Sequence, residues 1–510
     1  MEPVSGKVYL VGAGPGDPRL LTLRGKELLA QADTIIYDYL ANPALLDFAQ
    51  DRAEKIYAGK KGGTQSEAHQ DYLNERMIQA ASEGKCVVRL KGGDPFIFGR
   101  GGEEAISLAK AHIPFEVIPG ISSAIGVPAY AGIPLSHRDM ASSIAIITGH
   151  EDPANLKINW KGIATTCDTL VFLMGMGHLP EIITRLIQHG KDIKTPIALI
   201  QWGTYPYQKT VTGTLANIQD KADGFKPPAV IVIGEVVTLK DQMNWFESRP
   251  LFQRRIGVTR ARENAAEFAD MLSLYGADVV LLPAIKIIPP PDFADIDCAI
   301  DKIERYHTII FTSANGVQSF YDRLRQLGHD VRILKGISLC AIGPKTRQAI
   351  SNIGLLSDFI PAEYSAEGMI EELGKRGIAG KRFLLPRAMQ AREVLPEFII
   401  KNGGQIDIVA AYQAISPDTT EIEKILQRGP IDMLTFASAS TVRNFMNKIS
   451  PQMRESISKS AVACIGPITA QAAHTYGLHV DLIPKEYTFR ALTASIVQYF
   501  ADRPLRIDKK

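Results

Sequence analysis

Short apolar runs alternate with longer amphipathic segments from Lys7 onward. The runs are rich in β-branched residues and lie at 8–11, 34–37, 87–90, 115–118, 144–148, 169–173, 197–201 and 230–233. This alternation is typical of α/β proteins, in which helices cover a mainly parallel sheet. Pro119-Gly120 and the proline-bounded segment 128–134 interrupt the pattern. This interruption predicts two lobes, about 1–120 and 121–243, with a ligand cleft between them.

The strand pattern stops between Lys240 and Arg255 and resumes at Ile256, which predicts a linker at 244–255 between domains 1–243 and 256–510. The second domain contains an internal repeat. Three segments recur in the same order 123 to 125 residues later: 311–315 at 436–440, 341–346 at 464–469 and 358–365 at 481–488. Such a repeat predicts two similar α/β lobes. We expect the chain to cross between them at 285–291 and 414–417, so that lobe one combines about 256–287 with 417–510 and lobe two spans about 288–416.

Composition excludes several classes of protein. The apolar fraction of 45% and the charged fraction of 22% are ordinary for a folded chain. The net charge of +2 gives no general field for a polyanion, so neither nucleic acid nor a membrane is expected as a partner. The five cysteines are scattered and form no C-x-x-C pair, so we expect neither disulfides nor a metal site. The first residues do not resemble a secretory signal, and we expect a cytoplasmic protein.

Two glycine-rich loops follow predicted strands. In the first, Gly12-Ala13-Gly14-Pro15-Gly16-Asp17, the aspartate stands where a dinucleotide-binding loop needs its third glycine, and a carboxylate there repels phosphate. The second runs from Arg89 to Glu104, and no Gly-Lys-Ser/Thr closes it as in a P-loop. A single glycine loop is more often a simple turn. Two loops that combine glycines with acidic residues favour a nucleoside that carries positive charge, such as S-adenosylmethionine.

At these loops the sequence resembles the uroporphyrinogen-III C-methyltransferases of the tetrapyrrole methylase superfamily, over about residues 5–240. The resemblance lies in segments 11–18, 89–104, 119–124, 131–138 and 148–150, of which 89–104 is the most specific. It implies a two-lobed methylase fold that binds S-adenosylmethionine. The cofactor contacts that it implies are Pro15, Gly92, Gly93, Asp94, Ile97, Ser122, Ser123, Met174 and Gly203.

The same resemblance implies roles in catalysis. Asp38 and Lys60 match residues proposed as proton acceptor and donor, and Arg100 and Glu103 match residues that handle the substrate. The implied reaction transfers methyl groups to C2 and then C7 of uroporphyrinogen III, giving precorrin-2. This substrate is rich in carboxylates, which provide a counter-charge for Arg100 and Arg138. Whether Asp38 or Arg100 assists proton removal stays open, and a homodimer through this domain is expected from the family.

In the second domain, four small-residue loops each follow an apolar run and precede an amphipathic segment, at 312–316, 343–346, 438–441 and 466–469. Ser, Thr and Asn at such positions are typical helix caps. Four loops from two lobes would also present N–H groups and hydroxyls to a polycarboxylate. Segments 311–317 and 411–413 and the two Ile-Gly-Pro-x-Thr motifs resemble uroporphyrinogen-III synthase, a more loosely patterned family. This resemblance implies cyclisation of hydroxymethylbilane, assisted by Tyr412, with substrate contacts from Ser313, Ser438 and Thr469.

Other functions are possible for this sequence. A methylase acting on a later precorrin or on a protein side chain is disfavoured by the 89–104 motif. A dehydrogenase is disfavoured because no Gly-x-Gly-x-x-Gly unit with a distal acid occurs. The C-terminal half could instead be a non-catalytic tetrapyrrole-binding or regulatory module, which would leave a methyltransferase only. The sequence does not indicate whether the product serves sirohaem or cobalamin.

Overall fold

A computed structural model describes residues 6–59, 67–149, 158–259, 262–282, 286–389, 394–415, 419–427 and 429–503. The chain divides into two compact units. The first contains the chain up to Arg255 with 272–278 and the residues from 497 onward, and the second contains 256–271 and 279–496. None of the described helices combines the length and the hydropathy that crossing a bilayer requires.

The first sheet of the N-terminal unit is entirely parallel. Its strands are β1 (Lys7–Gly12), β2 (Thr34–Tyr37), β3 (Glu54–Tyr57), β4 (Cys86–Lys91) and β5 (Phe115–Ile118), in the order β3-β2-β4-β1-β5. Three helices connect them, α1 (Leu23–Gln31), α2 (Glu67–Ser82) and α3 (Gly101–Lys110), with 3-10 turns at Pro18–Leu20 and Pro43–Phe48. Because the strands are parallel, the loops after β1, β2, β4 and β5 leave the sheet at one edge.

The second sheet of this unit is mixed. Its strands are β6 (Ile144–Thr148), β7 (Thr169–Leu173), β8 (Pro196–Gln201), β9 (Lys209–Thr214) and β10 (Ala229–Ile233), in the order β6-β7-β10-β8-β9. Its helices are α4 (Ser123–Tyr130), α5 (Trp160–Thr166), α6 (Leu179–Gln188) and α7 (Ile218–Lys221), with 3-10 turns at Met176–His178 and Glu235–Leu239. β10 runs antiparallel to both β7 and β8, and β6 runs parallel to β7. The carboxyl ends of β6, β7 and β8 therefore share an edge.

The C-terminal half contains two further sheets. One consists of β11 (Arg255–Val258), β12 (Asp278–Leu281), β18 (Met433–Phe436) and β19 (Ala461–Cys464), in the order β12-β11-β18-β19. The other consists of β13 (Lys286–Ile288), β14 (Thr308–Phe311), β15 (Ser338–Ala341), β16 (Arg382–Ala388) and β17 (Gln405–Ile415), in the order β13-β17-β16-β14-β15. One sheet thus combines strands from both ends of this half.

Helices and two 3-10 turns, at Ile303–Arg305 and Val331–Leu334, connect these strands. The helices are α8 (Arg262–Leu274), α9 (Ala294–Asp301), α10 (Ala314–Gln326), α11 (Pro344–Asn352), α12 (Ala366–Arg376), α13 (Val394–Lys401), α14 (Thr419–Gln427), α15 (Ala439–Met446), α16 (Pro451–Ile457), α17 (Pro467–Thr475) and α18 (Phe489–Ala501).

The internal repeat is confirmed by matched contacts. The carboxylate of Asp358 accepts a hydrogen bond from the backbone N–H of Leu339 at 2.6 Å, and that of Asp481 accepts one from Val462 at 2.9 Å. Both members of the second pair lie 123 residues after those of the first. In each lobe an aspartate therefore holds the chain that follows a helix beside the neighbouring strand.

Candidate functional site

Three loops meet at the carboxyl edge of the first sheet. Gly14, after β1, and Gly93, after β4, exchange two backbone hydrogen bonds, at 3.2 and 2.8 Å between N and O. The loop after β5 packs onto the same point, since a Cβ on Gly120 would lie 2.3 Å from the Gly93 oxygen and 2.7 Å from the Gly12 Cα. No side chain fits at Gly120. We call this meeting point of the three loops the glycine junction.

Asp94, one of the predicted cofactor contacts, fixes the glycine junction. One carboxylate oxygen accepts the N–H of Phe96 at 2.8 Å, and the other accepts the N–H of Gly120 at 3.0 Å. Ser122, a further predicted contact, begins α4 and accepts the N–H of Ala124 at 3.3 Å. The polar groups of Asp94 and Ser122, which were expected to meet the cofactor, thus bind backbone N–H groups of these loops.

The loop after β1 also contacts the second lobe. The N–H of Asp17 donates to the hydroxyl of Thr204, just after β8, at 2.9 Å. A Cβ on Gly203 would lie 2.3 Å from the side chain of Val127 on α4, and one on Gly126 would lie 2.8 Å from Pro15. Pro15, Ser122, Ser123 and Gly203, which were all predicted as cofactor contacts, are therefore connected through α4 and the loops around it.

The carboxylate of Asp17 is held by protein groups. It accepts hydrogen bonds from the Arg19 guanidinium, the shorter at 2.7 Å, and from the Tyr130 hydroxyl at 3.0 Å. Burial raises the pKa of Asp17, but the hydrogen bonds from Arg19 outweigh it and the net pKa is lowered. Burial and the nearby Asp17 raise the pKa of Tyr130 to about 12. Asp17 therefore stays ionised and organises the first loop.

Apolar side chains are exposed on the loops that surround the glycine junction and on the loops at the carboxyl edge of the second sheet. Two of them, Ile97 and Met174, were predicted as cofactor contacts, and Met174 has a left-handed backbone with φ of 56°. Exposed apolar side chains grouped on loops are typical of a ligand site. The exposed apolar side chains on these loops include Tyr39, Leu40, Phe96, Ile97, Phe98, Ile121, Met174 and Tyr207.

Asp38, the predicted proton acceptor, belongs to a buried network of charges that the sequence analysis missed. Arg89 is 1% exposed and donates to Asp38 at 2.6 Å and to Glu104 at 3.0 Å. The ammonium of Lys91 lies 2.9 Å from the Glu104 carboxylate, and Gln70 donates to Glu104 at 3.2 Å. The signal for this network is in the sequence, since two cations flank Leu90 in an otherwise apolar strand.

Burial and the neighbouring charges shift the pKa values in this network. Burial lowers the pKa of Lys91, and the nearby Arg89 lowers it further. Burial raises the pKa of Glu104, but Arg89 and Lys91 more than reverse that effect, so the net pKa is lowered. Glu104 is thus held as a carboxylate between two cations. The predicted proton donor Lys60 lies outside the described residues.

Arg100 has an anionic partner within the chain. Its guanidinium makes a bidentate pair with Glu103, with the shortest contact at 2.6 Å, and this contact lowers the pKa of Glu103. Arg100 itself begins α3 in the left-handed conformation, with φ of 58°. Arg138 is exposed in a turn where His137 and Ala141 pair through their backbones. A substrate carboxylate would therefore compete with Glu103 for Arg100.

In the C-terminal half, two predicted site residues are brought together. The hydroxyl of Tyr412, on β17, lies 3.1 Å from that of Ser313, which also caps α10 by accepting the N–H of Gly316 at 3.0 Å. Ser438 caps α15 in the same way, through Thr441, and Thr469 is buried near the start of α17. Arg387, which the sequence analysis did not select, is buried on β16 next to Ala388, the residue paired with Tyr412.

Comparisons with known proteins identify a protein family for each half of the chain. A family model of the tetrapyrrole (corrin/porphyrin) methylases matches residues 7–219, and a model of uroporphyrinogen-III synthase HemD matches 266–494. The porphyrin biosynthesis protein HemD of Ruminiclostridium josui is 37% identical over 94% of this chain and 95% of its own length. The uroporphyrinogen-III C-methyltransferase of Bacillus subtilis (strain 168) is 37% identical over 93% of this chain and 94% of its own.

Among solved structures, the uroporphyrin-III-C-methyltransferase of Thermus thermophilus is 39% identical and covers 47% of this chain and 96% of that chain, with a TM-score of 0.40. The two family models follow one another along the sequence, and the relatives span nearly all of it. The chain therefore belongs to the family of porphyrin-biosynthesis enzymes in which a tetrapyrrole methylase is joined to a uroporphyrinogen-III synthase.

Proposed function

We propose that this enzyme cyclises hydroxymethylbilane to uroporphyrinogen III and then methylates the product at C2 and C7, giving precorrin-2. The methylase part of this proposal is supported by the glycine junction, where Gly12 and Gly120 have no room for a Cβ and the predicted contact Ile97 is exposed on an adjoining loop. Such a site suits a nucleoside with a positive charge better than a phosphate.

S-adenosylmethionine would supply a methyl group bound to a positively charged sulfur. The loops of the glycine junction, with Ile97, Met174 and Gly203, would hold it so that the methyl group faces the pyrrole carbon. A carbon–carbon bond forms as the carbon–sulfur bond breaks, so alignment and exclusion of water supply most of the rate. A proton then leaves the methylated ring, and Asp38 would accept it. Arg100 would leave Glu103 to bind a substrate carboxylate.

In the C-terminal half, the Tyr412 hydroxyl would help the hydroxyl of hydroxymethylbilane to leave, and Ser313 would orient Tyr412. Ser438 and Thr469 would contact substrate carboxylates from the other lobe. We place the division between the two activities at 244–255 and expect a homodimer through the methylase half, which light scattering would test.

The test supplies purified full-length protein with hydroxymethylbilane and S-adenosylmethionine and no other enzyme. We expect the dimethylated product precorrin-2, identified by mass and absorbance. A parallel reaction with uroporphyrinogen III tests the methylase alone. If that reaction proceeds while hydroxymethylbilane gives only the isomer I of spontaneous closure, the synthase assignment is wrong and the C-terminal half is a binding module. If uroporphyrinogen III is not methylated, the methylase assignment is wrong.

A further inference from the structure

Four aromatic rings join the loop after β2 to the loop after β8. The ring centroids of Tyr39 and Trp202 are 6.5 Å apart in an edge arrangement, and Trp202 lies 5.7 Å from Tyr205 and 5.9 Å from Tyr207. Tyr205 and Tyr207 stack at 5.1 Å. We call these four residues the aromatic cluster. Tyr39 is 42% exposed and Tyr207 is 39% exposed, so the cluster presents ring surface to solvent.

The backbone beneath the aromatic cluster is strained. Trp202 has φ of 51° and Thr204 has φ of 70°, a left-handed conformation that costs free energy for bulky and β-branched residues. Other contacts hold the segment there, since Thr204 donates its N–H to Gln208 at 2.8 Å and Gln208 donates to Glu247 at 2.8 Å. Strain maintained by the surrounding structure is typical of functional sites.

Two members of the cluster are adjacent in the sequence to the residues proposed for the two reactants. Tyr39 directly follows Asp38, the proposed proton acceptor, and Trp202 directly precedes Gly203, a proposed cofactor contact. Both ends are tightly packed. A Cβ on Gly59 would lie 2.6 Å from the Tyr39 Cβ, and one on Gly16 would lie 2.4 Å from the Tyr205 ring. The Cβ of Tyr39 and the ring of Tyr205 are therefore closely packed against the neighbouring backbone.

We propose that the aromatic cluster is the wall against which one face of the tetrapyrrole packs during methyl transfer, and that Tyr39 and Trp202 thereby determine how the macrocycle lies relative to the methyl donor. This inference rests on the proposed function. A tetrapyrrole has broad apolar faces and an anionic margin. Aromatic side chains offer a large apolar area with little loss of side-chain entropy, because they have only two rotatable bonds, which suits such a face.

The test compares Trp202→Asn and Tyr39→Leu with wild type. Asparagine tolerates the left-handed conformation, so Trp202→Asn removes the ring without adding strain. The matched control is Tyr72→Leu, which removes an exposed tyrosine from α2. We expect the KM for uroporphyrinogen III to rise about tenfold in each cluster variant, while the Kd of S-adenosylhomocysteine changes less than twofold. Tyr72→Leu should change neither quantity.

Two results would overturn the inference. One is an unchanged KM in both cluster variants, and the other is a loss of S-adenosylhomocysteine affinity as large as the rise in KM, which would make the cluster part of the cofactor site or of the fold. If Trp202→Asn does not fold, the KM of Tyr39→Leu tests the inference by itself. Tyr39 is partly exposed, so its replacement should disturb the fold less. Failure of the proposed function would give a different result, because the wild-type protein itself would then not methylate uroporphyrinogen III.

Discussion

Glu104 is a buried carboxylate between two buried cations, Arg89 and Lys91, at 3.0 and 2.9 Å. In a low-dielectric interior, each charge is tolerable only because the others compensate for its lost hydration. The two cations hold the folded-state pKa of Glu104 below the 4.5 of a solvated glutamate. The unfolded chain therefore takes up this proton first as the pH falls, so the stability that Glu104 contributes is lost below about pH 4.5.

Glu104→Gln should leave the buried Lys91 without its carboxylate partner and Arg89 with Asp38 alone. We expect a loss of about 3 kcal/mol at pH 7, because removing one partner of a buried ion pair costs about 3–5 kcal/mol. Calorimetry should show this as a lower midpoint for the methylase half, by roughly 6–12 °C. The difference in the free energy of unfolding between Glu104→Gln and wild type should narrow by about 1 kcal/mol at pH 3.5. At that pH the unfolded wild-type chain binds a proton at Glu104, which reduces the stability that the carboxylate contributes.

The control is Glu103→Gln, the neighbouring position, whose pair with Arg100 is largely exposed. It should cost no more than about 1 kcal/mol. Equal losses of stability in Glu103→Gln and Glu104→Gln would contradict the stabilising role of the buried network. A loss of stability in Glu104→Gln that does not change with pH would also contradict it.

Tyr412→Phe should slow cyclisation of hydroxymethylbilane by about 100-fold, the usual contribution of a positioned acid or base. Methylation of supplied uroporphyrinogen III should be unchanged. Release of uroporphyrinogen III from hydroxymethylbilane measures the first reaction, and transfer of labelled methyl groups measures the second.

Tyr306→Phe is the matched control for Tyr412→Phe. Tyr306 is also buried in the C-terminal half, and its hydroxyl donates to Asp407 at 2.7 Å. Cyclisation that falls equally in both variants would indicate a general loss of packing, and unchanged cyclisation in Tyr412→Phe would leave Tyr412 a structural residue.

Several of these single-residue relationships could not be predicted from the sequence. The helix-capping role of Ser313 follows from local pattern, but its contact with Tyr412 joins residues 99 positions apart. The sequence also indicated an anion for Arg100. Glu103, three residues further on, provides one within the chain, and Arg100 makes this contact from a left-handed conformation at the start of α3.

At the scale of the elements, the glycine junction depends on three strands ending at one edge. Gly120→Ala would place a methyl group 2.3 Å from the Gly93 oxygen. Overpacking of this kind costs about 1–3 kcal/mol. If the strain is relieved by separating the loops, S-adenosylhomocysteine should bind about 10- to 100-fold more weakly, as titration calorimetry would measure.

Gly102→Ala is the control, because a Cβ there would meet nothing within 4 Å and the residue lies in the first turn of α3. Its affinity for S-adenosylhomocysteine should match that of wild type. Tight binding in Gly120→Ala would mean that the junction does not form the cofactor site.

The eight strands predicted for the methylase half are confirmed, each within one residue at either end. Two strands, β3 and β9, were missed for a common reason. Both lie at the edge of their sheet and are only partly buried, so neither carries the continuous apolar run of a central strand. Only their pairing with β2 and β8 makes them strands.

At the scale of the whole molecule, the sequence predicted the repeat because both copies must satisfy the same contacts. Asp358 and Asp481 each hold a backbone N–H of a strand, so the same residue type recurs at both positions. The contact between Asp17 and Thr204 joins positions 187 residues apart, and nothing in either local sequence indicates it. The loops of the methylase half and a cleft between its lobes could therefore be predicted, but the residues that connect the lobes could not.

The pairing of β11 with β18 also has a consequence for how the protein is made. Ile256 pairs with Met433, which is synthesised 177 residues later. At about 5–20 residues per second, roughly 9–35 s pass between the synthesis of β11 and that of β18. During that interval the strands β13 to β17 are completed, and their sheet can form from chain that is already present. β11 has only four residues, so the edge that stays unpaired while translation continues is short, which limits pairing with other nascent chains.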